Sequence, residues 1–462
     1  MTIHAKILHR VHAAAVAMLV AALPLPVGAQ PAGNPPAPGA AMIARGQYVA
    51  RAADCEVCHT AIGGQPMAGG LPFKTPFGTM YSSNITPDAQ TGIGGWSEAQ
   101  FDKAVRHGVR ADGAHLYPAM PYTSYVKLTD ADVSALWAYM RTLAPVRRAT
   151  RRDGMGFPYN QRWALAGWKL INFSDTPFAA DVGKDAVWNR GKYLATALGH
   201  CEECHTPRNL AMGISSRAYA GSTIDGWQAF NISSDPVSGI GRWSEKDLER
   251  YLSTGALPGK ATAAGGMAEV IGHSLRYLTP PDLTALATYI KGAAPQPGAT
   301  SSRFDAGAPH DTAALVRGLP QGDEPSGAML FAGNCASCHG RAGAGVGTDR
   351  YYPSLFHNSA VGADKPDNLV QIILGGVHRT NGAGQDIMMP AFADQLTDAQ
   401  IARLATYVID TYGQGHGTVD AAFVAKARVN EPFVLPGWAL IGGPMLVALA
   451  GGLWLVRRRR RA

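Results

Sequence analysis

Charge and cysteine are both scarce in this chain. Asp, Glu, Lys and Arg make up only 16 % of its 462 residues, against 46 % hydrophobic, which fits a soluble globular body. The six cysteines all fall in three short clusters, and none is left over. No Gly-x-Gly-x-x-Gly stands at a strand-to-helix junction and no phosphate loop is present, so the usual flavin, nicotinamide and nucleotide signatures are missing. The remaining acids and histidines form no recognisable pair or triad. The chain is therefore not expected to oxidise an organic substrate by itself.

What is present is one pattern used three times. Cys55-Glu-Val-Cys58-His59, Cys201-Glu-Glu-Cys204-His205 and Cys335-Ala-Ser-Cys338-His339 each place two cysteines three positions apart and follow them at once with histidine. A redox dithiol, half a zinc site or a structural disulfide would explain a lone Cys-x-x-Cys. None of these requires a histidine after every pair. Attachment of c-type haem does: two thiols reach the two vinyl groups of one porphyrin while the next residue turns under the ring to bind iron. Three covalent haems c are predicted, with Cys55, Cys58, Cys201, Cys204, Cys335 and Cys338 as attachment points and His59, His205 and His339 as iron ligands.

Both ends read as targeting segments. Lys6 and Arg10 precede an apolar run from Ala13 to Leu23 and a Val27-Gly28-Ala29 cleavage site, so residues 1–29 are expected to be a signal peptide leading to the periplasm. Residues 438–456 contain no charge and are followed by Arg457 to Arg461. As a helix this stretch would span roughly 28 Å, so a C-terminal transmembrane anchor in the bacterial inner membrane is expected, with its arginine tail in the cytoplasm. The formal charge of +7 falls near zero once the leader and tail are set aside, and nucleic-acid binding is not expected.

Internal repetition divides the rest. Gly46-Gln47-Tyr48 precedes the first motif and Gly191-Lys192-Tyr193 the second. Asn84-Ile85-Thr86 with Gly92 to Glu98 is matched by Asn231-Ile232-Ser233 with Gly239 to Glu245. The third unit is more distant, with Gly327 ahead of Cys335. Each unit closes on a capped helix beginning at Thr129, Thr279 or Thr397, with apolar residues at helical spacing behind the cap. A helix before the motif, another at the end and mostly loops between describe a cytochrome c domain. The expected fold is mainly α: three tandem cytochrome c domains at 42–146, 185–293 and 322–413, plus one transmembrane helix at 438–456. Trp163, Trp168, Phe173 and Phe178 make the linker after the first domain too apolar for a free tether.

A sixth iron ligand separates electron carriers from haem catalysts. Methionine thioether closes the coordination sphere and raises the potential. Met120 lies 61 residues after His59, Met267 lies 62 after His205 and Met389 lies 50 after His339. Met388, Met80 and Met67 are rival thioethers, and His107, His115, His200, His273, His357 or His378 would instead give bis-histidine haems.

With these motifs, the stretches Gly69 to Phe73, Leu116 to Tyr122, His273 to Leu278 and Met389 to Phe392 make the chain resemble the triheme cytochrome c subunit of bacterial membrane-bound dehydrogenases. The resemblance covers nearly the whole mature chain. It implies a catalytic dehydrogenase subunit of flavin, pyrroloquinoline quinone or molybdenum type as partner, ubiquinone or the respiratory chain as acceptor, and Met120, Met267 and Met389 as axial ligands. The stretch Tyr352 to Ser359 leans towards flavin-dependent gluconate or sugar dehydrogenases. A stand-alone periplasmic carrier and a multihaem peroxidase are the alternatives.

Overall fold

Glycine decides how the main helices meet. A computed structural model of the chain describes residues 38–317, 324–347, 351–380, 383–415 and 418–429. In it the helix Pro38–Ala52 packs on Asp130–Met140, Ala186–Tyr193 on Pro280–Lys291, and Gly327–Asn334 on Asp398–Tyr412. A Cβ added to Gly46 would stand 1.9 Å from the Ala135 carbonyl oxygen, one on Gly191 1.9 Å from that of Ala285, and one on Gly327 2.4 Å from that of Arg403. Any side chain there would push the pair apart. The second helix of each pair starts at its threonine, whose hydroxyl accepts the backbone N–H of Asp132, Asp282 or Gln400.

Short hairpins replace part of what reads as loop in the sequence. Pro72–Thr75 pairs antiparallel with Gly78–Tyr81, Ser222–Ile224 with Trp227–Ala229, Ala256–Leu257 with Ala261–Thr262, and Val377–Thr380 with Asp386–Met389. Gly154–Met155, from the apolar linker, adds a third strand to the first hairpin. The same linker then forms the helix Leu165–Asn172 and bridges two units: Lys169 Nζ donates to the carbonyls of His107 and Gly108, and Trp168 Nε1 to that of Ala211.

The first two units lock together through a reciprocal contact. Tyr48 Oη donates to Asp282 Oδ2 at 2.5 Å, while Tyr193 Oη donates to Asp132 Oδ2 at 2.6 Å. Each aspartate also takes an arginine of its own unit, Arg190 on Asp282 and Arg45 on Asp132, at 2.6 to 2.8 Å. The residues occupy matching places in the two repeats, so the contact has approximate two-fold character. One buried apolar cluster runs through both units, and a second belongs to the third.

Two expectations are corrected. The leader at 1–29 and the segment 438–456 lie outside the described residues, and among the described residues no helix is long and apolar enough to cross a membrane. The longest, Pro38–Ala52 and Asp398–Tyr412, have 15 residues each. That is about 22 Å of helix against about 30 Å of hydrocarbon. They also carry Arg45, Arg51, Asp398, Arg403 and Asp410. The mainly α fold closed by a transmembrane helix thus becomes a helical fold with short strands, and the inner-membrane placement by a C-terminal anchor loses its support.

Candidate functional site

Each Cys-x-x-Cys-His motif folds as a short helical turn: Cys55–His59, Glu202–His205 and Ala336–His339. Asp54 and His200, directly before the first cysteine of their motifs, have left-handed backbone with φ of 54° and 36°. That reversal ends the preceding helix and lets the motif start a new one.

All three histidines are held in the same way. Nδ1 of His59 lies 2.7 Å from the Ser83 carbonyl oxygen, that of His205 2.7 Å from Phe230 O, and that of His339 2.9 Å from Pro353 O. A carbonyl can only accept, so Nδ1 carries the proton and Nε2 keeps its lone pair. Burial holds each imidazole below the ordinary histidine range and outweighs the hydrogen bond, which favours the charged form. A neutral imidazole oriented by a backbone carbonyl is the form in which histidine binds a metal.

The thiols have the opposite character from redox cysteines. Burial pushes Cys55, Cys58, Cys201 and Cys335 up to about 12, and Cys204 to about 11. A nucleophilic or zinc-bound cysteine needs a lowered value. Among the described residues no three His, Cys, Asp or Glu side chains converge as an ion site. The donor set thus fits covalent attachment of a haem above one neutral histidine.

A cavity of about 1590 Å³ opens beside the first motif. Cys55, Cys58 and His59 border it together with Met120, and so does the rival Met80. Its walls are mainly apolar, with Ile85, Trp96, Phe101 and Leu136 among them. The volume exceeds the 300–1,000 Å³ or so of ordinary ligand pockets and suits a macrocycle. His200 and Cys204 of the second unit reach the same cavity, so the first two motifs are neighbours across the unit boundary. Sequence reasoning missed this, because nothing in the repeat says which face of one copy meets the other.

The remaining candidates are placed as follows. Met267 and Cys201 pack on the same buried cluster, and Cys335 packs on that of the third unit. Met389 is half-buried on the strand Asp386–Met389, opposite Val377. Its neighbour Met388 is 66 % exposed, as strand alternation requires, and points away from Met389. Met67 is buried in the core. His107 pairs with Asp175 at 3.5 Å, His115 with Lys169 at 3.0 Å and His273 with Glu269 at 3.4 Å, while His378 is exposed. His357 carries left-handed backbone, φ 50°.

Comparison with known proteins accords with this chemistry. Residues 43–144 match the family "Cytochrome c", and residues 322–408 match "Cytochrome C oxidase, cbb3-type, subunit III". The fructose dehydrogenase cytochrome subunit of Gluconobacter japonicus is 42 % identical over 94 % of this chain and 95 % of its own length. The gluconate 2-dehydrogenase cytochrome c subunit of Pantoea cypripedii is 40 % identical over 85 % and 90 %. The cytochrome c subunit of a quinone alcohol dehydrogenase from Gluconacetobacter polyoxogenes is 40 % identical over 86 % of both chains.

Proposed function

Because the chain belongs to the family of cytochrome c subunits of bacterial dehydrogenases, we propose that it carries electrons from a catalytic dehydrogenase subunit to the respiratory chain through three haems c. Haem c iron, when bound, supplies a one-electron ferric/ferrous couple. The chain's own residues hold and shield it. Cys55 and Cys58, Cys201 and Cys204, and Cys335 and Cys338 would anchor one ring each, in units spanning 42–146, 185–293 and 322–413. His59, His205 and His339 would present Nε2 to iron, fixed in direction by the carbonyls of Ser83, Phe230 and Pro353. Met120, Met267 and Met389 would supply a thioether as a further iron ligand, one in each unit. The observation that carries this reading is the same carbonyl-held, neutral imidazole after all three cysteine pairs.

The apolar walls of the first cavity would keep water from a bound haem. Cys204 borders that cavity as well, so the residues that would anchor the first two haems are neighbours. The partner is proposed to be of flavin type, acting on a sugar or sugar acid. Support for the substrate comes from the relatives named for fructose and gluconate dehydrogenases, and a quinone is the proposed acceptor, as in the name of the alcohol dehydrogenase relative. Affinity purification of the native chain is expected to bring down one catalytic subunit with a bound flavin. Recovery of this chain alone, competent in quinol oxidation, would argue for a stand-alone carrier.

The axial assignments have a spectral test. Leucine at Met120, Met267 or Met389 is expected to convert one haem in three from low to high spin, read in the visible spectrum. An unchanged spectrum would move the ligand elsewhere, and at the first site to Met80 or His200, which border the same cavity.

A further inference from the structure

A carboxyl group lies buried between the first two haem motifs, and no ion pair among the described residues compensates it. Asp54 directly precedes Cys55, borders the same cavity as Cys55, Cys58, His59, His200 and Cys204, and is 8 % exposed. Its left-handed backbone, with the N–H donated to the Arg51 carbonyl at 3.0 Å, sets it at the break between the helix Pro38–Ala52 and the motif. Oδ1 has no hydrogen-bond partner among the described residues. A charge there reaches both units: it raises the thiols of Cys55 and Cys58 and also that of Cys204. His200 holds the matching place in the second repeat, and its ring packs 5.6 Å from that of Tyr125, whose Oη donates to the Ala53 carbonyl at 2.6 Å.

Few charged groups surround it. Glu56 is on its own turn. The helix Gly265–His273 of the second unit packs against that turn and brings Glu269 and His273, whose side chains pair at 3.4 Å and are 54 % and 47 % exposed. Arg51 and Arg276 stack over the Tyr277 ring, at 4.2 and 4.5 Å. Glu203, on the same cavity, is held by Arg208 at 2.8 Å. Burial dominates: it pushes the Asp54 carboxyl up to about 8, against the pull of His273 and with the help of Glu269 and Glu56. A carboxyl that titrates near neutral pH beside an iron whose charge changes by one is coupled to that change.

We propose that Asp54 is a redox-linked proton site, which takes up one proton when the haem held by Cys55, Cys58 and His59 is reduced and releases it on oxidation. The inference rests on the haem reading given above. An electron from the catalytic subunit turns ferric iron ferrous and removes one positive charge; the Asp54 carboxylate then gains a proton from solvent and becomes the neutral acid, so charge is conserved at the site. Protons arrive from the side of His273 and Glu269, the exposed pair of the packed helix. Ferric iron and the carboxylate stabilise each other, whereas ferrous iron is better matched by the acid. The potential of that haem therefore falls as pH rises, by the reciprocity that links any two coupled binding events. Asp54 takes no part in binding iron.

The test is a spectroelectrochemical titration of the purified holoprotein from about pH 5 to 9, resolved into its haem components, with haem content measured alongside. In the parent one midpoint is expected to fall with rising pH. The ferric to ferrous ratio at fixed potential should change by up to tenfold per pH unit, about 59 mV. Asp54→Asn keeps the shape, accepts left-handed backbone and fixes the neutral form. It should hold that midpoint at its acid value across the range. His273→Gln should keep the slope and move its inflection to higher pH, because one cation acting on Asp54 is gone. That variant decides the matter if Asp54→Asn loses its haem. Parental midpoints that do not vary with pH overturn the proposal. So does a slope that survives in Asp54→Asn, which would place the proton on the haem's own carboxylates and leave Asp54 a structural role. A slope lost in His273→Gln places the proton on His273, and an unmoved inflection there removes Asp54; either result overturns the proposal. The underlying reading fails separately, if the parental chain binds fewer than three haems.

Discussion

Serine at both Cys55 and Cys58 is expected to leave the chain with one haem fewer than the parent, two where the proposed count is three. Without thioether bonds the first ring loses its covalent hold, and the lone Nε2 of His59 is a weak substitute. The consequence reaches beyond the first unit, because the cavity of about 1590 Å³ that these cysteines border also receives His200 and Cys204 of the second. A covalently held ring stays on the unfolded chain, so what it adds to the fold is the burial of its faces against the apolar walls. Emptying that cavity should lower Tm of the block formed by the first two units. Haem content by alkaline pyridine absorbance and unfolding by calorimetry give the two readings. Reduction of a dye acting directly on the partner dehydrogenase should be unaffected, while electron delivery through this chain should be lost. Three haems retained in the double variant would sink the assignment of the first site.

Asp282→Ala is expected to cost about 3–5 kcal/mol, the usual loss when one member of a buried ion pair is removed and the other is stranded. Asp282 is 8 % exposed and accepts from Tyr48 Oη, Arg190 Nε and Arg190 Nη2. The Arg190 side chain is 39 % exposed and is partly rehydrated in the variant, which favours the lower end of that range. Tyr48→Phe deletes one hydrogen bond and should cost only about 1–2 kcal/mol. Urea unfolding reads both, and a loss under about 1 kcal/mol for Asp282→Ala would mean that the reciprocal contact does not hold the units together.

The same carboxylate sets a pH dependence. Burial works to raise the Asp282 pKa, but hydrogen bonds from Arg190 and Tyr48, with the charge of Arg190, overcome it and hold the carboxyl below its usual value. A depressed folded-state pKa gives stability that is complete above the unfolded value, about 3.9, and is lost as pH falls through the folded one. The gap in stability between the parent and Asp282→Ala should therefore be widest near neutral pH and close in acid below about pH 4.

Much of the site was legible because haem attachment is local chemistry. Five consecutive residues carry both thiols and the histidine, so spacing alone named Cys55, Cys58 and His59 and their two counterparts. Gly46, Gly191 and Gly327 stood out at similar offsets ahead of the motifs, and their close approach to a backbone carbonyl explains why each has no side chain. The threonine caps were legible for the same local reason, since an N-cap contacts a backbone N–H three residues away. Tyr48 and Asp282 were also visible as members of repeated motifs. That each reaches the other copy rather than its own was not, because a contact across 234 residues depends on how the copies dock.

The amino-acid sequence by itself determined the cofactor chemistry, the repeat and the helices that frame each motif, since all of these follow from interactions within a few positions along the chain. Only the tertiary structure decided that Met80 and Met120 face one cavity, that Cys204 approaches the first site, and that Asp54 lies buried where His273 and Glu269 of the second unit act on it. Those groups are far apart along the chain, and they meet because burying the apolar faces of each unit leaves these polar ends at the seams, where the next unit completes them.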